Sequence, residues 1–130
     1  MDVDEVLKSF RRVPEGRLAD RFYEIFLKTD PRFKPLFAKT DFERQKELLV
    51  HGIFALLEYA KGSATGRMAV RRLGELHSRK RMNITKDMYP VWVFCLIQAL
   101  REVDPQFTPL LETQWREALQ KGIDLMVEME

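Results

Sequence analysis

The sequence holds a single cysteine, Cys95, and only two histidines, His51 and His77. One thiol forms no internal disulfide. Set in the apolar run Val91-Trp-Val-Phe-Cys-Leu-Ile97, it reads as a small buried hydrophobe and not as a nucleophile. No Cys-x-x-Cys and no His-Glu-x-x-His is present, so nothing suggests a zinc site. A glycine-rich dinucleotide fingerprint is missing, which leaves no reductase signature. Lys plus Arg is 22 against Asp plus Glu at 20, and a net charge of +2 carries no footprint of nucleic-acid binding. No apolar run is long enough to span a bilayer, so no membrane insertion is expected. The acidic start, Met1-Asp-Val-Asp-Glu-Val6, lacks an apolar core; no signal peptide is expected, and a reducing, cytoplasmic setting is the default. Alternating strand patterns, repeats and low-complexity tracts are also missing.

What is present reads as helix throughout. A chain of 130 residues, 45% hydrophobic and 32% charged, fits one domain over residues 1–130 with a substantial core. Asp4–Val13 is the first expected helix, with Val6, Phe10 and Val13 inward, and Pro14 ends it. The second, Glu15–Lys28, buries Leu18, Phe22, Ile25 and Phe26 and stops at Asp30-Pro31. A short helical turn covers Pro31–Phe37. Thr40-Asp-Phe-Glu43 is a capping box that opens a long helix to about Lys61. Gly62–Gly66 is expected as a loop, followed by a helix through His77 and a polar, basic stretch from Ser78 to Asn83. Thr85 is expected to cap a helix from Lys86 to Val103, with Pro90 tolerated in its first turn. Thr108-Pro109 opens the last helix. The expectation is one all-α domain of six or seven helices.

Three polar residues lie on apolar faces. Val70, Leu73, Gly74 and His77 recur at the spacing of one helix face, so an imidazole stands in an apolar stripe. A buried imidazole needs a partner: either a hydrogen bond inside the protein or a metal. On the wheel of its own helix, Gln45 at zero has Leu49 at about 40°, Leu56 at about 20° and Phe42 at about 60°, which centres Gln45 in the stripe. His51 falls at about 240°, beside Glu47 and Glu58, on the solvated face. Tyr23 sits at the edge of its face, next to Phe22 and Phe26. Each has an ordinary reading as a packed or half-exposed residue. Three on three separate helices suggest a polar centre inside an apolar pocket.

These residues, with others, resemble a family. Ser9-Phe10, the run Phe22-Tyr23 through Asp30-Pro31 to Pro35-Leu-Phe37, Leu73-Gly-Glu-Leu-His77, Tyr89-Pro90, and Trp115 to Glu130 occur in the order found in single-domain bacterial haemoglobins and the globin domains of flavohaemoglobins. The resemblance implies a globin-like fold around haem b. It makes His77 the proximal iron ligand, Tyr23 and Gln45 the distal polar pair (with Arg44 as the alternative to Gln45), and Leu49 the apolar wall beside the ligand. Phe37, Leu73 and Ile84 would contact haem. Tyr89 and Glu130 would form a network behind His77, although the stretch from His77 to Tyr89 is about two residues longer than in the family. Arg79, Lys80 and Arg81 are candidates to pair with the anionic propionates.

The implied function is reversible binding of O₂, and of NO or CO, with high O₂ affinity from the distal donors. Two relatives of that reading are a haem-based gas sensor and an NO dioxygenase, either working with a separate signalling partner or reductase. A cofactor-free helical interaction module is the alternative from another class.

Overall fold

The computed structural model describes residues 3–77 and 85–129. Among them are seven helices and no strand: α1 (Asp4–Arg12), α2 (Glu15–Thr29), α3 (Phe33–Leu36), α4 (Phe42–Lys61), α5 (Ala64–His77), α6 (Met88–Val103) and α7 (Pro109–Glu128). The all-helical expectation therefore stands. None of these helices is long and apolar enough to cross a membrane.

Local chemistry explains most boundaries. Pro14 and Asp30 take extended backbone at the ends of α2. Thr108 accepts a hydrogen bond from the Leu111 N–H and Pro109 follows it, so α7 starts where a cap and a donor-free proline place it. Three expected boundaries are corrected. The cap of α4 is Asp41 and not Thr40: the Asp41 carboxylate accepts from the Glu43 and Arg44 N–H groups. The loop expected over Gly62–Gly66 shrinks to Gly62 and Ser63, because the Ser63 hydroxyl accepts from the Gly66 N–H and α5 starts at Ala64. The helix after Thr85 starts at Met88, once Thr85 and Lys86 have spent their carbonyls on a tight turn to Met88 and Tyr89.

α4 packs on α5 and α7, α5 also on α7, and α2 on α6 and α4. Trp115, Phe22, Phe33, Ile53, Leu57 and Leu96 are among the fully buried side chains of the single core. Gly62 ends α4 with φ of 101°, a left-handed turn that a side chain resists. A Cβ at Gly66 would lie 2.5 Å from the Tyr59 N, so only glycine lets α5 start so close to α4.

A polar cluster escaped the sequence reading, where Asp104 served only as a helix stop. Its carboxylate is 2% exposed and receives four donors. Arg12 grips it with Nε to Oδ1 at 2.7 Å and Nη2 to Oδ2 at 2.8 Å; Ser9 Oγ donates at 2.5 Å, and the Gln106 N–H at 2.9 Å. Trp115 Nε1 donates in turn to Ser9 Oγ at 3.0 Å. α1, the α6–α7 corner and α7 are thus pinned at one point. Burial pushes the Asp104 carboxyl up, but Arg12, Ser9 and Gln106 outweigh it and hold it below the usual carboxylate range. Asp104→Ala leaves the Arg12 guanidinium unpaired, and we expect a loss of about 3 kcal/mol, or about 10 °C in Tm, at pH 7. A depressed folded pKa gives stability that is present above the unfolded value and lost as pH falls through the folded one. The gap between wild type and variant should therefore close below about pH 4 in thermal melts.

Candidate functional site

The Gly62 turn folds α5 back along α4. Gln45 lies about four to five turns before this turn and His77 about four turns after it, so the two reach similar heights on facing helices. The facing surfaces are fixed by Gly52 of α4, where a Cβ would sit 3.8 Å from Leu73 Cδ1 of α5. Along α4 the face of Gly52 continues through Leu49, Leu48 and Gln45; along α5 the face of Leu73 continues to His77. Toward these far ends the cover thins. Leu73, His77 and Gln45 are half-buried, and Leu48 is 47% exposed despite its place beside the stripe.

Tyr23 of α2 reaches the α4 wall. Gln45 Nε2 donates to Tyr23 Oη at 3.0 Å. Because the phenol oxygen accepts, its own proton is free for another partner. The sequence placed Tyr23 at the edge of its face, yet it is only 5% exposed. The rings of Phe37 and Phe42 come round from outside α2, with centroids 6.0 and 5.6 Å from that of Tyr23, and Phe22 stands edge-on at 5.0 Å. Phe26 and Phe33 stack at 4.1 Å beneath them. Phe33 and Phe42 were not singled out as site residues, although Phe42 shares the wheel position that marked Gln45. Burial in this cage pushes the Tyr23 phenol up to about 12, the Gln45 bond drawing it back in part. Tyr23 is therefore a donor at any physiological pH.

His77 differs from His51 in every respect. His51 is exposed on α4. Burial pushes the His77 imidazole below its ordinary pKa, so the neutral ring dominates at pH 7. His77 Nδ1 and Tyr89 Oη lie 3.5 Å apart, and their rings are tilted by 33°. If Nδ1 carries the proton, this contact leaves the lone pair of Nε2 free on the opposite side of the ring. Tyr89 therefore stands next to the ring that the expected network would back. Glu130, its expected second link, lies outside the described residues, as do Ile84, Arg79, Lys80 and Arg81. Leu49 is buried beside Gln45 and Phe37 is half-buried against Tyr23. Arg44 is exposed, whereas Gln45 makes the inward bond.

The donor set has a particular chemistry. Among the described residues no group of three or more His, Cys, Asp or Glu is arranged to hold an ion. A single neutral imidazole is a metal ligand only where the other ligands arrive with the metal, as in a porphyrin. Leu48 of α4 is exposed and Leu73 of α5 half-buried, apolar side chains of the kind such a group packs against. The polar pair Tyr23–Gln45 stands on one wall and the imidazole on the other.

No family model matches the chain. It is 26% identical over 115 residues, 87% of its length, to the flavohaemoproteins of Bacillus thuringiensis, Bacillus cereus and Bacillus anthracis. The chain spans 28% of the length of these curated relatives. A crystal structure from Pseudomonas aeruginosa, described as structurally highly homologous to a human haemoglobin, superposes with a TM-score of 0.90 at 32% identity. That match covers 98% of this chain and 96% of the other. With such identity along nearly the whole of both chains, and with helices in the same arrangement, this chain belongs to the globin family.

Proposed function

We propose that the chain holds haem between α4 and α5, with His77 as its protein ligand, and binds diatomic gases on the Tyr23–Gln45 side. The observation that carries this reading is the pairing of two walls: a neutral, half-buried imidazole beside Tyr89, and a caged phenol whose oxygen is already occupied by Gln45. The names of the Bacillus relatives and the haemoglobin likeness of the Pseudomonas structure support it. Haem would supply an iron with one coordination position left open to a gas.

The residues divide the work. His77 Nε2 would hold the iron, and Tyr89 would orient the ring through Nδ1. Gln45 holds the phenol oxygen, so the Tyr23 O–H is aimed by a bond and not by chance. O₂ draws negative charge on binding, and a fixed donor in a dry pocket stabilises it by about 1–3 kcal/mol. Leu49, Phe37 and Leu73 exclude water and supply apolar contact. The lone Cys95 lies buried in α6, and no Cys-x-x-Cys-His motif exists for covalent attachment, which favours haem b. Slow gas release suits sensing, scavenging or NO oxidation better than bulk delivery.

Reconstitution tests the reading. The purified chain mixed with haemin should take up one equivalent and show a Soret band that moves on reduction and moves again on adding CO. A spectrum that stays that of free haemin overturns it.

A further inference from the structure

The arginines among the described residues differ in whether a carboxylate holds them. Arg12, Arg21, Arg32, Arg101 and Arg116 are each held by carboxylates: Asp104, Glu24 and Glu102, Asp30 and Asp87, and Glu112 for the last two. Arg67, Arg71 and Arg72 have no carboxylate partner among the described residues, and all three are exposed on one helix, α5. The other described arginines without such a partner, Arg11, Arg17 and Arg44, are scattered singly over α1, α2 and α4.

The three lie on one side of α5. Setting Arg67 at zero on the wheel, Arg71 falls at about 40°, Met68 at about 100° and Arg72 at about 140°. His77, at about 280°, points the opposite way, between Leu73 at about 240° and Val70 at about 300°. Met68 is 71% exposed in the middle of the arginines, and Glu75 is the one acid on this face. An exposed apolar side chain ringed by unpaired guanidinium groups is the composition of a protein-docking patch. A membrane surface fits it less well. Interfacial helices need a broad apolar side turned outward, and the apolar side of α5 is spent on α4 and α7.

The geometry points to this face of α5 as the docking surface for the acidic face of a one-electron donor protein. This rests on the haem reading for its purpose. The helix that offers the patch also carries the proposed iron ligand, about one helix diameter (roughly 10 Å) across and roughly 8–15 Å further along the axis. The donor loses one electron and the ferric iron gains it; no bond is made or broken.

An acidic flavodoxin serves as the probe. Titration calorimetry with oxidised flavodoxin needs no haem, so it separates failure of docking from failure of the haem reading. We expect binding at about 20 mM salt that weakens at least tenfold by about 200 mM. The variant Arg67→Glu/Arg71→Glu/Arg72→Glu should weaken it about tenfold or more at low salt. Arg11→Glu/Arg17→Glu/Lys28→Glu, with the same change in net charge, should not. In the haem-loaded chain, reduction by flavodoxin hydroquinone should slow in the α5 variant in the same proportion, while reduction by dithionite stays unchanged. No binding, salt-independent binding, equal losses in the two variants, or an equal loss with dithionite would each overturn the assignment.

Discussion

A His77→Ala variant is expected to emerge from purification and reconstitution without stably held haem, while His51→Ala retains a full equivalent. The size of the effect follows from the donor set. Among the described residues His77 is the only imidazole on the facing sides of α4 and α5, so a single bond would separate tight from loose retention. His51 is exposed on the other side of α4 and touches none of the residues that line the site. The fold should survive, because the core that joins α4, α5 and α7 rests on Val70, Leu56 and Leu57, all buried and untouched. Unchanged helicity by circular dichroism checks this. A His77→Gly variant adds a positive test: free imidazole should enter the vacated space and restore the reduced Soret spectrum. Retention by His77→Ala together with loss from His51→Ala would reverse the assignment of the two histidines.

Why the two histidines could be told apart from sequence alone is a matter of period. One turn of helix repeats every 3.6 residues, so the place of His77 in a stripe and of His51 outside one is fixed before any fold is known. Gln45 was legible for the same reason, and its bond to Tyr23 joins two residues that the wheels could mark but not connect. Tyr23 shows the limit. A wheel describes one helix, and it left the phenol at an edge; the rings that bury it arrive from Phe37 after α3 and Phe42 on α4. The Ser9–Asp104–Arg12 pin was illegible on the same grounds. Its members are more than 90 residues apart, and an Asp before a Pro has a sufficient local reason to be there. Helix starts were misplaced by one to three residues wherever two hydroxyl or carboxylate caps competed, as at Thr40 and Asp41.

Tyr23→Phe should raise the rate of O₂ release by about ten- to a hundredfold, the equivalent of one hydrogen bond of roughly 1–3 kcal/mol in a dry site. The phenol sits in a cage of four aromatic rings, so removing one oxygen leaves packing almost intact, and the change reads the hydrogen bond rather than a cavity. Association should change little, because the donor acts after the gas has arrived. CO gains less negative charge than O₂, so its release should shift far less; equal acceleration of both gases would indicate a widened pocket and not a lost donor. Gln45 complicates the single variant in an informative way. Without the phenol oxygen its Nε2–H loses its acceptor and is free to turn toward the gas. Gln45→Leu should therefore cost less than Tyr23→Phe in the presence of the phenol, and more in its absence, so that the double variant releases O₂ faster than the two single effects multiply to. Stopped-flow displacement of O₂ by CO measures all four forms. An unchanged release rate in Tyr23→Phe would remove the phenol from the distal role and leave Gln45 as the sole donor on that wall.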